Sequence, residues 1–320
     1  MKNILVSGAS SIVGLGILKS LKMSDKKLCI IGATCFEDTV VPAFCDIFLK
    51  APMTNEDNYV NWLVATIEKY EIDMIIPGID ADMYIWDENI DKISQGKVKV
   101  LINKPEIISL CKDKWLFYQK MKLNSIIYTI PSSIDDNFEE LESEFGLPLL
   151  LKPRHGFGSK GISKVLDKKS FFECKDKIGE VLLVQPFIGS DDEEYTSSAF
   201  GDGKGGFFAS MTLKRKLSKD GYTEKAEVVE IKGMEDAISS YCKALKPIGP
   251  TNFQFRVDNG ELRLLEINPR ISSSTSIRSA FGYNESEMAV EFYLENKAPV
   301  QPSIKQGKAV RYVEDYIFYK

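Results

Sequence analysis

Hydrophobic positions in the first third of the chain form short runs that alternate with longer amphipathic stretches. The runs at residues 4–6, 28–32, 74–77 and 98–102 read as buried strands, whereas residues 13–21, 59–70 and 83–93 repeat apolar positions at helical spacing. Short apolar strands between helices are typical of a parallel sheet that is covered on both faces. The pattern therefore predicts a doubly wound α/β domain over residues 1–110.

From about residue 105 the strands become longer and no longer alternate regularly with helices. The pattern predicts helices over residues 106–121, 170–178, 234–245 and 285–294, and strands over residues 149–153, 162–166, 181–185, 194–200, 206–216, 252–257 and 262–268. This order of elements is α+β in character. The whole chain is thus predicted to be α/β plus α+β, with its second domain over residues 111–320.

The segment at residues 251–270, TNFQFRVDNGELRLLEINPR, alternates polar and apolar side chains along two predicted strands. One face would carry Asn252, Gln254, Glu266 and Asn268, and the other Phe253, Phe255, Leu265 and Ile267. Carboxylate and amide oxygens suit Mg²⁺, which leaves coordination sites open for phosphates. A half-buried hairpin whose polar face meets water explains the same alternation, and spacing alone favours that plainer interpretation.

The register of this hairpin follows from the requirement that cross-strand partners share a face. A three-residue loop at residues 259–261 would pair Gln254 with Glu266 and Asn252 with Asn268, whereas a two-residue loop would mix the faces. A type I turn followed by Gly260 in the left-handed conformation of a bulge would supply such a loop. We therefore expect the three-residue loop.

Two glycine-rich segments could bind phosphates or form tight turns. The first, GASSIVGLG at residues 8–16, lacks the G-x-G-x-x-G spacing, and residues 32–34 supply no acidic side chain for a ribose, which favours a tight strand-to-helix turn over dinucleotide binding. The second, at residues 156–161, follows Lys152 at the end of an apolar strand, where a buried ammonium requires an anion. Its backbone N–H groups could face phosphate oxygens, and a surface hairpin is an equally good interpretation.

A third segment, LLVQPFIG at residues 182–189, joins an apolar strand to an extended stretch. Gln185 ends the strand, and the stretch after it could hold a flat base and offer backbone hydrogen bonds through Pro186, Phe187 and Ile188. Four acidic residues follow at positions 191–194. Only Glu194, at the start of the next predicted strand, has a fixed place, since the other three read as a solvated loop.

Composition narrows the functional classes. The chain of 320 residues has 27% charged residues and a formal net charge of −5, which matches nucleic acid or an anionic membrane surface poorly. Six cysteines without a C-x-x-C pair read as reduced thiols of a cytosolic protein, and the single histidine, His155, nearly excludes histidine-centred metal sites and triads. No apolar run reaches the roughly 18 residues of a transmembrane helix. We therefore expect a cytoplasmic protein without nucleic-acid or membrane partners.

In this order, the segments resemble those of the ATP-grasp superfamily, and within it the short proteins similar to halves of carbamoyl-phosphate synthase large subunits and the pyrrolysine-pathway ligase PylC. The resemblance implies a pre-ATP-grasp domain followed by a two-lobed ATP-grasp domain, with a small lid lobe at about residues 125–187 and a large lobe at about residues 188–320. It is diffuse up to residue 110 and specific from Lys114 to Arg270. Ser273 stands where carbamoyl-phosphate synthases usually carry a second arginine, which argues against carbamoyl phosphate synthesis.

The resemblance implies ATP and two Mg²⁺ ions as cofactors, with Mn²⁺ as a substitute. The residues implied to bind the nucleotide are Lys114, Lys152, Gly156, Gly158, Ser159, Gly161, Gln185, Pro186, Phe187, Ile188 and Glu194, and many family members have a glutamate in place of Gln185. The implied metal ligands are Gln254, Glu266 and Asn268. The implied catalytic residues are Lys152, Arg215 and Arg270.

The implied reaction is ATP-dependent ligation, in which a substrate carboxylate becomes an acylphosphate and an amine then displaces phosphate. Arg270 would steady the acylphosphate, and Arg215 and Arg278 are candidates for binding the substrate carboxylate. Asp80 and Asp82 follow the predicted strand at residues 74–77, at the edge where open α/β sheets bind ligands, and would either pair with a substrate ammonium or remain solvated. The partners are then a small carboxylate and a small amine, with a homodimer as the expected assembly.

Two alternatives to ligation stay open at this point. An enzyme that forms carboxyphosphate or carbamoyl phosphate would share the first step, with bicarbonate as the acid. A nucleotide-binding regulatory module would have lost catalysis, although the set Gln254, Glu266 and Asn268 argues against that loss.

Overall fold

The computed structural model describes residues 1–156 and 161–319, and within them three sheets organise the chain. One sheet has five strands, one has three and one has six. Every strand pairing in the first is parallel, and every pairing in the other two is antiparallel. This mixture confirms the predicted combination of α/β and α+β character.

The parallel sheet occupies the first hundred residues. Its strands are β1 (Lys2–Val6), β2 (Leu28–Thr34), β3 (Ile47–Lys50), β4 (Met74–Ile76) and β5 (Lys99–Val100), in the order β3-β2-β1-β4-β5. The helices between them are α1 (Ile12–Lys22), α2 (Tyr59–Lys69), α3 (Asp80–Glu88) and α4 (Ile90–Ile93), and a 3₁₀ turn spans Val41–Ala43. Ile4 and Val6 pack with Ile17 of α1, whereas Leu5 packs with Leu63 of α2, so helices cover both faces as predicted. Strand β3 was not predicted.

The turn between β1 and α1 is as tight as the sequence GASSIVGLG predicts. Ser11 caps the helix by accepting a hydrogen bond from the Gly14 N–H at 2.9 Å, and its hydroxyl donates to the Gly78 carbonyl at 2.8 Å. A Cβ on Gly14 would lie 2.4 Å from the Gly8 carbonyl oxygen. Glycine is therefore required at position 14 by close backbone approach.

Two helices follow where one was predicted. They are α5 (Pro105–Lys112) and α6 (Lys114–Leu123), separated by Asp113. The Asp113 carboxylate accepts from the N–H groups of Trp115 and Leu116 at 2.9 and 3.3 Å, so it begins a new helix. The single helix predicted over residues 106–121 is wrong because this N-cap restarts the chain in a new direction.

The three-stranded sheet has the order β7-β6-β8. Helix α7 (Phe138–Phe145), β6 (Leu149–Pro153), β7 (Ser163–Val165), α8 (Lys168–Phe172), a 3₁₀ turn at Lys175–Lys177 and β8 (Leu182–Pro186) make up this part. Its small core lies between the sheet and the two helices, around Leu149, Leu151 and Phe171. Helix α7 was not predicted, and the predicted helix at residues 170–178 is shorter and starts earlier.

The six-stranded sheet has the order β13-β12-β9-β10-β11-β14. Its elements are a 3₁₀ turn at Asp191–Glu193, β9 (Glu194–Asp202), β10 (Phe207–Leu217), β11 (Thr223–Val228), α9 (Met234–Leu245), β12 (Ile248–Asp258), β13 (Glu261–Asn268), α10 (Thr275–Ala280), α11 (Glu285–Glu295) and β14 (Lys308–Val310). Helix α9 covers one face, where Tyr241 meets Phe253 and Phe255. Helices α10 and α11 lie against the opposite face together with α1. Strands β11 and β14 and helix α10 were not predicted.

Across the described ranges, no helix combines enough length with enough apolar character to cross a bilayer.

Candidate active site

A cleft lies where the three sheets approach one another. Its wall includes Asp80 and Tyr84 from α3, Lys112, Lys114, Phe117 and Tyr118 from the α5–α6 region, Lys152 and Gln185 from the three-stranded sheet, Gly156 from the loop after β6, and Leu264 to Pro269 from β13 and the turn after it. The structure therefore brings together Lys114, Lys152, Gln185, Glu266 and Asn268, which the sequence places far apart.

Lys152 lies in β6 and is only 8% exposed. Its Nζ donates to the carbonyl oxygen of Leu265 at 3.1 Å. Burial, opposed by attraction to Glu266 and reinforced by repulsion from Lys114, lowers the pKa of Lys152 to about 8. A buried ammonium held near a single carbonyl and one carboxylate is prepared for an anion.

Lys114 approaches the cleft from the first turn of α6. Its Nζ donates to the carbonyl of Gly156 at 2.9 Å, and burial lowers the pKa of Lys114 although Glu266 and Asp113 oppose that effect. Asp113 also binds Arg154 (Nη2 to Oδ2, 2.6 Å), and the Lys114 N–H donates to the Arg154 carbonyl at 3.0 Å. Asp113 thus fixes both the helix that carries Lys114 and the strand end beyond Lys152.

The glycine segment is only partly described. Gly156 and Gly161 have φ values of 120° and 74°, in the region that favours glycine. Gly158 and Ser159, both implied to bind the nucleotide, lie outside the described residues. His155 is 58% exposed at its side chain, with Nε2 3.4 Å from Asp113 Oδ2, in keeping with a loop position.

The hairpin of β12 and β13 pairs the predicted residues but through a different loop. Gln254 lies opposite Glu266 and Asn252 opposite Asn268, which confirms the predicted partners. Asp258, however, pairs with Glu261 across a two-residue turn, so the three-residue loop is wrong. Asn259 and Gly260 both have positive φ, 50° and 81°, as a type I′ turn requires.

A β-bulge at Leu265 reconciles the short turn with the polar face. The register shifts between Gln254, opposite Glu266, and Phe255, opposite Leu264, which leaves Leu265 as the extra residue. Leu264 is 3% exposed in the core, whereas Leu265 lines the cleft, so the predicted apolar face had the wrong leucine. The bulge also presents the Leu265 carbonyl that binds Lys152.

The donor set on this polar face fits a hard cation. Glu266 supplies a carboxylate, and Gln254 and Asn268 supply amide oxygens, the chemistry that Mg²⁺ accepts together with waters and phosphates. Asn268 Nδ2 donates to Glu266 Oε1 at 3.2 Å, and Arg215 Nη2 donates to Gln254 Oε1 at 2.7 Å. No group of three or more His, Cys, Asp or Glu side chains gathers anywhere in the described ranges, and the carboxylates that line the cleft are those of Asp80 and Glu266.

Glu194 is the centre of a buried charge network beside the metal-ligand candidates. It is 4% exposed, and it binds Arg215 through Oε1 (Nη2 at 2.8 Å) and Arg256 through Oε2 (Nη2 at 3.1 Å). Arg256 also pairs with Asp191 and donates to the Ile188 carbonyl at 3.3 Å. Sugar hydroxyls at Glu194 would therefore share a carboxylate that two arginines already hold.

Strand β8 contributes Gln185 to the cleft wall, and the predicted base-binding segment follows directly after it. Gln185 is 8% exposed, and its Nε2 donates to the hydroxyl of Ser132 at 2.8 Å, which leaves its amide oxygen as an acceptor. The Phe187 N–H donates to the Pro148 carbonyl at 3.2 Å, and Lys164 Nζ lies 3.9 Å from the centre of the Phe187 ring. Pro186, Phe187 and Ile188 are half-buried, in keeping with an extended wall.

Asp80 lines the cleft and forms a bidentate ion pair with Arg270. Arg270 Nε lies 2.5 Å from Asp80 Oδ1 and Nη2 lies 2.7 Å from Oδ2, while Nη1 donates to the Ile271 carbonyl at 2.9 Å. Burial opposes the charge of Arg270, but Asp80 and then Glu266 outweigh it and raise its pKa. Asp80 is therefore neither solvated nor open to a substrate ammonium in this arrangement.

Two further predicted substrate residues lie away from the cleft. Asp82 is 2% exposed and accepts from Thr54 Oγ1 at 2.6 Å and from the Tyr59 hydroxyl at 2.9 Å, and burial raises its pKa. Arg278 is fully buried, binds Ser272 and Asn252, and faces Glu285 with Nη1 3.6 Å from Oε1. The structure does not bring either residue to the proposed substrate.

Sequence reasoning missed Asp113, Arg256, Tyr84 and Ser132. Asp113 is the N-cap of α6, and an aspartate directly before a helical segment is a sequence signal from which this role could have been predicted. Arg256 alternates with Gln254 on β12, so its face could also have been predicted. Tyr84 and Ser132 enter the cleft only through packing, and nothing in their sequence surroundings marks them.

Comparison with known proteins agrees with this geometry. A family model described as ATP-grasp in the biosynthetic pathway with Ter operon matches residues 180–316. Two solved structures superpose with a TM-score of 0.74: an N5-carboxyaminoimidazole synthetase from Staphylococcus aureus (15% identical, 95% of this chain and 80% of that one) and a biotin carboxylase–β-γ-ATP complex from Campylobacter jejuni (19%, 96% and 74%). The chain has the ATP-grasp fold. An L-amino acid ligase from Bacillus licheniformis superposes with a TM-score of 0.69 (15%, 92% and 74%).

The amino-acid sequence of this chain is also similar to those of curated proteins. The chain is 29% identical over 241 residues to the carbamoyl phosphate synthase large chain of Methanothrix thermoacetophila, covering 68% of this chain and 22% of that protein. It is 24% identical over 356 aligned residues to the large chain of Thermotoga neapolitana, covering 100% and 32%. The resemblance to ATP-grasp proteins and to these large chains is confirmed, although the chain spans a third or less of their length. The likeness to PylC stays a prediction.

Proposed function

We propose that this chain is an ADP-forming carboxylate–amine ligase that uses ATP. The observation that carries the proposal is that Lys114 and Lys152 line the same cleft as Glu266, while Arg270 is paired with Asp80 of the cleft wall. Two buried or half-buried lysines beside Glu266 suit a polyphosphate with its metal ions better than a neutral ligand. The relatives and structural neighbours, among them a carboxylase and an amino acid ligase, support the same class of reaction.

In this proposal the two lysines bind phosphate oxygens of ATP. Lys152 would exchange the carbonyl of Leu265 for an anion, which would also favour its charged form. The nucleotide base would lie along Pro186, Phe187 and Ile188, with the Gln185 amide oxygen as an acceptor, and Glu194 would meet the ribose. Gly156 and Gly161 flank the segment proposed to cover the phosphates, to which Gly158 and Ser159 belong.

Gln254, Glu266 and Asn268 would hold two Mg²⁺ ions, with Mn²⁺ as a substitute. Bound there, the metal would neutralise phosphate charge and align the transferred group. The chain itself supplies no nucleophile: the substrate carboxylate attacks the terminal phosphate of ATP, and an amine then attacks the resulting acylphosphate. Arg270 would steady the acylphosphate, and Arg215, which already touches Gln254, would approach the substrate carboxylate.

The domain division proposed is residues 1–110 for the parallel-sheet unit and 111–320 for the ATP-grasp unit, with the lid lobe at about residues 125–187 and the large lobe at about residues 188–320. The partners proposed are a small carboxylate and a small amine in the cytoplasm, and the assembly proposed is a homodimer. Arg278 and Asp82 are not included among the substrate-binding residues, because both are buried away from the cleft.

The test is a screen for ADP release. The chain is mixed with MgATP and pools of amino acids, sugar acids and amines, and Glu266→Ala serves as the matched inactive control. The proposal expects rapid ADP release only when both an acid and an amine are present. No ADP release from the wild type with any pool, while MgADP still binds, would count against a ligase and favour a regulatory module.

The likeness to carbamoyl phosphate synthase large chains supports a second candidate, an enzyme that phosphorylates bicarbonate. The same screen separates the two, since this candidate requires ADP release to depend on bicarbonate and not on any organic acid. Depletion of bicarbonate by degassing at low pH before the assay is the control.

A further inference from the structure

We infer that Asp80 is a positioning residue for Arg270, so that the parallel-sheet unit takes part in the reaction through this one carboxylate. The inference rests on the proposed ligase activity, and it replaces the expectation that Asp80 pairs with a substrate ammonium. It follows from the geometry of the pair, from the position of Asp80 on its helix and from the donors that remain on Arg270.

The ion pair between Asp80 and Arg270 holds the plane of the guanidinium in one orientation. Both oxygens of Asp80 accept from Arg270, at 2.5 and 2.7 Å, and both side chains are mostly buried, at 14% and 13% exposed. Two parallel N–H···O bonds hold a guanidinium in one orientation, which a single bond or a lysine does not do. The Ile271 carbonyl, 2.9 Å from Nη1, adds a third fixed point.

Helix α3, which carries Asp80, is also held in a fixed position. Asp80 is the first residue of α3, directly after the carboxyl end of β4, and an acidic side chain in the first helical turn is stabilised by the helix dipole. A Cβ on Gly78 would lie 2.3 Å from the Ser7 carbonyl oxygen, so the turn that leads into α3 packs tightly on β1. Tyr84, one turn further along α3, also lines the cleft. The helix therefore presents this carboxylate from a rigid base.

Arg270 keeps donors for another anion. A guanidinium has five N–H groups, and the three bonds above use one each on Nε, Nη1 and Nη2. One N–H on Nη1 and one on Nη2 have no partner among the described residues. Asp80, which binds Arg270, and Pro269, which precedes it in the chain, both line the cleft together with Glu266, so the pair lies at the wall of the proposed phosphoryl-transfer site. Asp80 thus holds one edge of Arg270 and leaves donors for the acylphosphate.

This arrangement also explains why an acid is needed at position 80. Cations bound at Glu266 would repel the Arg270 guanidinium, and a fixed carboxylate behind it offsets that repulsion. Without Asp80 only the bond to the Ile271 carbonyl would orient the guanidinium, and one bond leaves it able to turn away from the reacting phosphoryl group. Misplacement of a catalytic group by about 1 Å costs on the order of 100-fold in rate.

The test is a double-mutant cycle on ADP release, measured with MgATP and the same pools of amino acids, sugar acids and amines. Asp80→Ala and Arg270→Ala are each expected to lower kcat by about 100-fold and to leave the KM for ATP within about twofold. The double variant should be no slower than Arg270→Ala alone, because Asp80 acts through Arg270. Asp80→Asn, which keeps the shape and one acceptor, should fall between Asp80→Ala and wild type. Glu88→Ala, at the far end of α3, is the matched control and should behave as wild type.

Each other outcome has a defined meaning. A raised KM for the amino acids with unchanged kcat in Asp80→Ala would show direct substrate contact and overturn the inference. So would additive losses in the double variant, or equal losses of ATP affinity and kcat in both Asp80 variants, which indicate a structural role alone. A wild type that releases no ADP overturns the proposed function and this inference with it, whereas an active wild type with an unaffected Asp80→Ala variant overturns the inference only.

Discussion

Replacement of Lys152 by methionine should stabilise the protein while it weakens nucleotide binding. Lys152 is 8% exposed, and its pKa falls from 10.5 to about 8 chiefly because burial disfavours the ammonium. A shift of that size corresponds to about 3 kcal/mol of destabilised charge. Methionine has a similar length and no charge, and its flexible side chain adapts to the space. Loss of the hydrogen bond to the Leu265 carbonyl destabilises the variant by about 1 kcal/mol, so the free energy of unfolding should rise by about 2 kcal/mol in total.

The lowered pKa of Lys152 also predicts how the stability gain of Lys152→Met depends on pH. The folded chain releases the Lys152 proton near pH 8, whereas the unfolded chain keeps it up to pH 10.5. Between these values the unfolded state binds more protons, so the stability of the wild type rises with pH through that window. Lys152→Met lacks this rise. The advantage of the variant should therefore be full below pH 8 and fade toward pH 10.5.

Urea unfolding followed by intrinsic fluorescence measures this difference, with three tryptophans in the chain as reporters, one of them the fully buried Trp86. Titration calorimetry measures MgATP affinity, which should fall by about 10- to 100-fold when the charge-assisted phosphate contact is lost. Lys114→Met is the comparison, because Lys114 is less buried and should give a smaller stability gain. A Lys152→Met chain that is less stable than wild type by more than about 1 kcal/mol at pH 7 would refute the argument from burial.

Three further predictions test other parts of the structure. Glu266→Ala should lower ADP release by about 1,000-fold and leave the urea midpoint nearly unchanged, since Glu266 faces the cleft; near-normal ADP release would remove it from the metal site. Gly260→Val should lower the free energy of unfolding by about 1–3 kcal/mol because Gly260 has a φ of 81°, while Asn259→Gly in the same turn should be tolerated; equal stability of both variants would contradict the turn geometry. Arg278→Met should cost about 3–5 kcal/mol in urea unfolding because it leaves Glu285 buried and unpaired, and Arg278→Met with Glu285→Gln should recover part of that loss; a neutral single variant would show that the pair contributes nothing.

The hairpin shows how far the sequence alone determined the site. Period-two alternation assigned Gln254, Glu266 and Asn268 to one face, because side chains in a strand must alternate. It did not determine the loop, since a two-residue turn with a bulge and a three-residue loop satisfy the same constraint. Tertiary packing decided between them: Leu264 fills the core and donates its N–H to the Tyr128 carbonyl at 2.7 Å, while Leu265 offers its carbonyl to Lys152.

The helices show the same division. Apolar periodicity placed α1, α2 and α9 correctly, and α9 to the residue, because a long amphipathic face buries one side whatever its neighbours are. The same periodicity predicted α5 and α6 as one helix, because the spacing of apolar residues does not show where the chain changes direction. The break depends on Asp113, whose carboxylate caps α6 and also binds Arg154, which directly follows β6. Asp113 as a helix N-cap is a local signal in the sequence, but its ion pair with Arg154 forms only in the tertiary structure.

Contacts between distant segments could not be determined from sequence. Asp80 and Arg270 are separated by 190 positions, and Glu194 meets its two arginines from neighbouring strands. Each of these charged side chains is compatible by itself with a solvated surface, because charge alone does not specify a partner. Burial changes that, since a charge removed from water requires an opposite charge at hydrogen-bond distance. The sequence by itself therefore determined which chemical groups the chain carries and which strand face they share, and the packing of the three sheets decided which of them meet.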